Sequence, residues 1–188
     1  MTEVAGRPEV VSSREVFANP WMRLTEDELR RPDGTTSRYA VARVNDYALV
    51  IPFDGERFLL VEQYRYPIDR RVWEFPQGGM HGVQPDDPQR IAEAELVEET
   101  GMTAASFTHL GFLHESYGRS TTGFHVYLAT DLTAGAPRLE PEEADLRSGW
   151  FTLDEIWHMI EAAAITDAST VASLALLERH WGAARSAR

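Results

Sequence analysis

The sequence has 188 residues, of which 43% are apolar, and this fits one domain with a buried core and excludes a disordered chain. It contains no Cys, which excludes a disulfide framework, a thiolate metal site and a cysteine nucleophile. Its 30 acidic and 18 basic residues leave a net charge of −12, and an acidic field repels polyanions, so we expect no nucleic-acid partner.

All the basic residues are Arg, so a P-loop nucleotide site and Schiff-base chemistry are excluded because both need Lys. No apolar run approaches the roughly 20 residues of a membrane span. Residues 1–6 also lack the basic flank and apolar segment of a secretory signal. We therefore expect a cytoplasmic protein with no membrane partner.

Alternating apolar and polar residues predict three antiparallel strands near the N-terminus, at residues 9–17, 21–29 and 37–44. They would form a small N-terminal antiparallel β-sheet within residues 1–45. A second domain would follow at residues 46–188. It would begin with two strands that flank Asp54-Gly55, a strong signal for a hairpin.

The rest of the chain mixes strands and helices. Asp87 is a favourable N-cap before Pro88, so a helix is predicted from there to Thr100, with Gly101 as its left-handed end. Further strands are predicted at residues 72–75, 106–114 and 123–130, and further helices at 153–163 and 168–181. The late helices carry four apolar residues at helical spacing that we expect in the core: Trp157, Ile160, Leu174 and Leu177. This order predicts an α/β or α+β sandwich.

Three glutamates stand out in the first helix. Glu95, Glu98 and Glu99 are three and four residues apart, so they share one helix face and repel each other by a few tenths of a kcal/mol per pair. They also lie near the C-terminal end, where the helix dipole disfavours anions. A hard cation such as Mg²⁺ would compensate for this arrangement. The alternative is an acidic helix face that is simply solvated.

The run Glu95-Leu96-Val97-Glu98-Glu99-Thr100-Gly101-Met102, preceded by a Gly-rich loop, closely resembles the Nudix box, G-x5-E-x7-R-E-U-x-E-E-x-G-U with U apolar. The resemblance implies a Nudix α/β/α sandwich with a mixed sheet. It also implies that Mg²⁺ or Mn²⁺ is bound by Glu95 and Glu99, with Glu98 as an accessory ligand. The backbone carbonyl of Gln77 is a candidate fourth ligand.

The sequence departs from the box at two places. Ala94 stands where the pattern has Arg, so whatever that Arg orients is absent or replaced. The Gly-rich loop is one or two residues longer than usual, and the Glu expected after it is Asp86 or Asp87. Neither departure removes a principal metal ligand.

From about residue 45 onward, the chain resembles the ADP-ribose pyrophosphatase branch of this family. The resemblance is carried by residues 61–67, 73–76, 142–146 and 165–171. It implies hydrolysis of the pyrophosphate bond of ADP-ribose or a related nucleoside diphosphate sugar. It also implies a homodimer in which the N-terminal strands are exchanged.

The same branch suggests roles for individual residues. Arg65 is the candidate for a pyrophosphate contact, since guanidinium groups bind phosphate oxygens in pairs. The alternative is that it pairs with a surface carboxylate. Glu74 matches a residue that contacts the ribose or metal-bound substrate, and its alternative is a structural ion pair with Arg70 or Arg71.

Two later loops complete the predicted site. The branch activates the attacking water with a Glu from a late loop, which Glu142 matches best, with Glu143 as the second choice. This loop is equally acceptable as a solvated acidic turn. Arg119 lies in a loop that departs from the branch, and it is a candidate for an additional phosphate contact.

Two other functions stay open. The run Phe75-Pro76-Gln77-Gly78-Gly79 is also typical of Nudix enzymes that act on dinucleoside polyphosphates or RNA 5′ ends. A Nudix-fold module that senses a nucleotide sugar without cleaving it is the third hypothesis. Such modules typically lose glutamates of the box, whereas Glu95, Glu98 and Glu99 are all present here.

Overall fold

A computed structural model describes residues 6–79, 87–139 and 143–186. The chain divides into two compact units. One unit contains the described residues up to Asp46 together with His114–Gly123, and the other contains the remaining described residues.

The first unit is built on an antiparallel sheet of three strands, β1 (Glu9–Ala18), β2 (Met22–Arg30) and β3 (Thr36–Val44), in that order. This confirms the predicted N-terminal sheet. Strand β1 is exposed along its whole length. It nevertheless carries apolar side chains that are 40 to 57% exposed, namely Val10, Val11, Val16 and Phe17.

The segment His114–Gly123 belongs to the same unit because its backbone bonds to the end of β3. The Ala42 N–H donates to the Arg119 carbonyl at 2.9 Å, and the Ala42 carbonyl accepts from the Thr121 N–H at 3.0 Å. The Asp46 carboxylate accepts from the Gly123 N–H at 2.8 Å.

The second unit contains seven strands, a short 3-10 helix and three α-helices within the described residues. In chain order they are β4 (Tyr47–Pro52), β5 (Phe58–Arg65), the 3-10 helix (Tyr66–Ile68), β6 (Arg70–Glu74), β7 (Gln77–Gly78), α1 (Pro88–Thr100), β8 (Thr103–His114), β9 (Gly123–Thr133), β10 (Arg147–Phe151), α2 (Leu153–Glu161) and α3 (Ala168–Ser186). One sheet has the order β7-β4-β9-β8, and it is mixed because β4 is parallel to β9 and antiparallel to β7. The other sheet, β10-β5-β6, is antiparallel.

Successive side chains of β4 point to opposite faces of the sheet and pack into two separate apolar cores, as expected when both faces of a strand are covered. Ala48 and Val50 pack in a cluster with the α1 residues Ile91, Ala92 and Leu96. Leu49 and Ile51 pack on the opposite face in a cluster that includes residues of α2 and α3: Ile156, Leu174 and Leu177. Helices therefore cover both faces of the mixed sheet, which confirms the predicted α/β/α sandwich.

The ends of α1 also follow the prediction. Asp87 caps the helix by accepting the Gln89 N–H at 3.0 Å, and Gly101 ends it with φ at 71°. The long Gly-rich loop that precedes α1 lies almost entirely outside the described residues, including the predicted Glu substitute Asp86.

Some sequence-based expectations were wrong in detail. Asp54-Gly55 does form a turn, in which the Asp54 N–H donates to the Arg57 carbonyl. The strands on either side, β4 and β5, belong to different sheets and do not form one hairpin. Strands β7 and β10 were not predicted, and Trp157, expected in the core, is 38% exposed. Leu174 and Leu177 are buried as expected.

No helix in the described part of the chain is long and apolar enough to cross a membrane.

Candidate active site

The carboxylate of Glu95 lies directly against the backbone of Gly78. A Cβ atom placed on Gly78 would come within 2.6 Å of both carboxylate oxygens. A side chain at position 78 would therefore displace the Glu95 carboxylate from its place beside β7. The Gly of the sequence motif creates room for a motif glutamate.

Glu99 is an unusual ionisable group among the described residues. The residue is 3% exposed, and its Oε2 atom has no hydrogen-bond partner among the described residues. Burial, followed by the charges of Glu95, Glu143 and Glu74, raises its pKa well above the usual value, and Arg65 opposes this shift. These four carboxylates and one guanidinium form one electrostatic cluster.

Arg65 and Glu74 pair with each other inside this cluster. The Nε and Nη2 atoms of Arg65 donate to the two carboxylate oxygens of Glu74, and Gln63 adds a hydrogen bond of 2.9 Å. Glu74 is 2% exposed, and its burial raises its pKa despite the opposing effect of Arg65. Burial is the largest single effect on the pKa of Arg65 and lowers it, but the charge and hydrogen bond of Glu74 together with the charges of Glu99 and Asp167 outweigh it, so the net shift is upward.

The alternative partners considered for Glu74 are engaged elsewhere. Arg70 donates to the Ala163 carbonyl, and Arg71 pairs with Glu62 and Asp145. Glu74 thus has a structural ion pair, but its partner is Arg65, the other residue expected to contact substrate. No Arg65 hydrogen bond within the described residues uses Nη1.

Asp167 belongs to this site and was not identified as a site residue from the sequence. Its carboxylate does cap α3, accepting the Thr170 N–H at 2.7 Å. The same Oδ2 atom also accepts from the Gln77 amide at 3.2 Å, and its charge reaches both Arg65 and Glu74. The Gln77 Oε1 atom is buried without a partner in the described part of the chain.

A buried hydrogen bond fixes the strand that carries these residues. The Phe75 N–H donates to the Thr170 hydroxyl at 3.0 Å, which fastens the end of β6 to the first turn of α3. Gln77 itself lies opposite Leu49 in the pairing of β7 with β4. The α3 N-terminus therefore helps to position both Glu74 and Gln77.

The remaining predicted residues lie in three places. Glu98 is half-buried on α1, and its carbonyl accepts the Arg138 N–H at 2.9 Å. Glu143 is half-buried and acts electrostatically on Glu99, whereas Glu142 lies outside the described residues. Arg119 is exposed in the first unit, where its N–H donates to the Ser116 carbonyl at 2.8 Å.

The donor set fits a hard divalent cation. Among residues 6–79, 87–139 and 143–186, no three Asp, Glu or His side chains gather closely enough to hold an ion by themselves. Mg²⁺ usually takes only one or two carboxylates and completes its shell with water and substrate phosphates. The carboxylates of Glu95 and Glu99 match that pattern, and the Oε2 atom of Glu99 has no hydrogen-bond partner among the described residues. Such a site is typical of enzymes that hydrolyse phosphoanhydrides with a metal ion.

Comparison with known families places the chain in one of them. The profile of the NUDIX domain matches residues 42–174, and that of the nucleoside diphosphate sugar hydrolase N-terminal domain matches residues 9–42. The chain belongs to the Nudix family. The predicted enzyme class, a Nudix pyrophosphohydrolase, is confirmed, and members of this family generally need a divalent metal ion.

Individual relatives agree with this assignment. An ADP-ribose pyrophosphatase of Mycobacterium tuberculosis is 32% identical over 168 residues, covering 88% of this chain and 81% of that protein. An ADP-ribose pyrophosphatase of Bacillus subtilis is 26% identical, covering 90% and 92%. The crystal structure of an ADP compounds hydrolase has a TM-score of 0.83 at 19% identity, covers 98% of both chains, and shows the same fold.

The burial of Glu99 predicts a pH-dependent cost to stability. Its pKa rises from an ordinary 4.5, so the folded protein holds this proton more tightly than the unfolded chain. Metal-free parent protein should therefore lose stability as pH rises above about 4.5, by up to about 1.4 kcal/mol per pH unit while only the folded state is protonated. Glu99→Gln lacks this titration, so its stability relative to the parent should increase with pH.

Urea unfolding with a chelator present, at several pH values between about 5 and 8, measures this difference in stability. Glu98→Gln is the matched control, because it neutralises a less buried glutamate on the same helix. A difference between Glu99→Gln and parent that stays constant with pH would contradict the prediction.

Proposed function

We propose that this chain hydrolyses the pyrophosphate bond of ADP-ribose or a related nucleoside diphosphate sugar, giving a nucleoside monophosphate and a sugar phosphate. Two relatives that cover most of the chain are named for ADP-ribose pyrophosphatase activity. The N-terminal profile names nucleoside diphosphate sugar hydrolases. The family match and these relatives support this class of reaction.

One observation carries the proposal, namely that Glu99 is buried among Glu95, Glu143 and Glu74 with an oxygen that has no partner in the described part of the chain. Burying a carboxylate without a partner costs free energy, and a protein gains no stability by adding three more nearby. A cluster of this kind is therefore best explained by chemistry.

The metal-binding residues are proposed as the sequence suggested. Glu95 and Glu99 would be the principal ligands of Mg²⁺ or Mn²⁺, with Glu98 as an accessory ligand and the Gln77 carbonyl as a fourth. When bound, the ion supplies neutralisation of charge on the diphosphate and a lower pKa for water.

The remaining side chains act on substrate and water. In the proposed reaction the oxygen of a water molecule attacks one phosphorus of the diphosphate, and the bridging P–O bond breaks. Glu142 or Glu143 takes the proton of the attacking water. Arg65 would offer its Nη1, which makes no hydrogen bond within the described residues, to a phosphate oxygen while Glu74 holds the guanidinium in plane. Arg119 is proposed as an additional phosphate contact.

The test of the proposed function is turnover on a substrate panel with Mg²⁺. We expect cleavage of ADP-ribose or of a sugar nucleotide such as GDP-mannose or UDP-glucose, with loss of activity on addition of chelator and in Glu99→Gln. The panel also holds a diadenosine polyphosphate and a 5′-triphosphorylated RNA. Activity on these two alone would support the second hypothesis from the sequence, and binding of a sugar nucleotide without any turnover would support the sensor.

Substitution distinguishes the two candidates for the general base. Glu143→Gln and Glu142→Gln each remove one carboxylate without changing its size. We expect the variant that loses the base to lower kcat by about 10²- to 10⁴-fold with little change in KM, because proton transfer occurs only in the transition state. Steady-state kinetics of both variants with the best panel substrate measure this. Near-parental kcat values in both variants would assign the base elsewhere.

We also propose that residues 1–45 form a dimerisation extension, as the sequence suggested. Its support is the number of apolar side chains exposed on β1 in the single chain, namely Val10, Val11, Val16 and Phe17. Several exposed apolar side chains on one strand are typical of an interaction surface. The cytoplasmic location expected from the sequence stays a prediction.

Light scattering coupled to size exclusion tests the dimer. We expect the parent protein to have twice the mass of one chain. The double variant Val16→Glu/Phe17→Glu should have a mass closer to that of one chain, because buried unpaired charges oppose association. Thr36→Glu is the control, since it adds charge at an exposed polar position of the same sheet. A parent that elutes as a single chain would rule the proposal out.

A further inference from the structure

Helix α1 has an unbalanced charge. Its last turn contains Glu98 and Glu99 but no basic residue. Position 94, where the box pattern has Arg, is Ala. Both glutamates face the unfavourable end of the helix dipole, so a positive charge from outside the helix would stabilise them.

A neighbouring segment, residues 135–138, is held tightly against this end of α1. A Cβ atom on Gly101 would come within 2.6 Å of the Gly135 carbonyl oxygen, and one on Gly135 would come within 2.7 Å of the Gly101 carbonyl oxygen. The Arg138 N–H donates to the Glu98 carbonyl at 2.9 Å. These contacts fix the backbone of Arg138 next to Glu98.

The side chains of Arg138 and Glu98 share an open cleft of about 570 Å³ with Ala94. The other residues that line the cleft are Arg90, Glu93 and Val97. Within the described residues, neither the Arg138 guanidinium nor the Glu98 carboxylate has a hydrogen bond or an ion pair. Ala94 contributes only a small side chain to the wall of this cleft.

Arg90 is less suited to balance Glu98. It precedes Glu98 by eight residues, which corresponds to about 12 Å along a helix axis. Its guanidinium also lies 3.9 Å from the Asp87 carboxylate, at the other end of the helix. Arg138 is therefore the basic residue of the cleft that is next to Glu98.

We propose that Arg138 is a positioning residue for Glu98: from the 135–138 segment it supplies the positive charge that α1 lacks at position 94, and it holds the Glu98 carboxylate in one orientation. The consequence for turnover rests on the proposed function, in which Glu98 is an accessory ligand. The charge pairing itself does not depend on that function.

A double-mutant cycle tests the pairing without any activity measurement. Arg138→Ala, Glu98→Gln and the double variant are unfolded with urea, with chelator present and at low salt. We expect a favourable coupling that changes the unfolding constant by about 1.5- to 5-fold, typical of a partly exposed ion pair, and that disappears near about 1 M salt. Additive effects of the two substitutions at low salt would overturn the pairing.

Moving the charge back onto the helix is the second test. Ala94→Arg places a guanidinium one turn before Glu98, at the i,i+4 spacing at which charged helix residues interact. We expect Arg138→Ala to lower kcat by about 10-fold, in the range found when a partner of a metal ligand is removed. Adding Ala94→Arg should recover at least about half of that loss in the logarithm of kcat. Arg147→Ala, an exposed Arg outside the cleft, is the control.

Binding of Mn²⁺ to the substrate-free protein, followed by electron paramagnetic resonance, separates positioning from loss of the metal. Removing a positive charge makes the site more negative, so Arg138→Ala should bind Mn²⁺ at least as tightly as the parent. Weaker Mn²⁺ binding, or no rescue by Ala94→Arg, would overturn the positioning role. If the parent protein were inactive on every panel substrate, the proposed function would be wrong. The double-mutant cycle would still test the pairing of Arg138 with Glu98.

Discussion

The burial of one carboxylate, that of Glu99, is the constraint on which the second unit depends. Its helix must pack against β4 through Ile91, Ala92 and Leu96, and that packing turns Glu99 away from water. An unpaired charge in such a position costs several kcal/mol unless it takes up a proton or meets a cation. The apolar core and the reactive face of α1 are thus set by the same helix orientation.

The surrounding residues reduce this cost only in part. Arg65 is a source of positive charge that acts on Glu99, yet Glu74 already occupies two of its donors. Full neutralisation by a second arginine would stabilise the empty protein but would also compete with a cation. The cluster is consistent with a protein that gives up stability at one place in exchange for reactivity.

The sequence identified most of the helices and strands but could not identify how the strands pair. Helix α1, its caps and the three N-terminal strands follow from local patterns, and the glutamates of α1 follow from spacing within a single helix. Strand β7 has only two residues and leaves no periodicity to detect. The contacts of Arg65 with Glu74 and of Asp167 with Gln77 join residues far apart along the chain or without a shared local pattern. Only the assembled sheets bring them together.

Asp167 connects the integrity of the C-terminal helix to the geometry of the reactive cluster. One of its oxygens both caps α3 and holds the Gln77 amide, while Thr170 one turn later holds the Phe75 N–H. Helix ends open locally far more often than whole domains unfold. Each fraying of the first turn of α3 would release two neighbouring positions of the site at once. The working temperature range of the enzyme would then be limited by a helix terminus, well before the core melts.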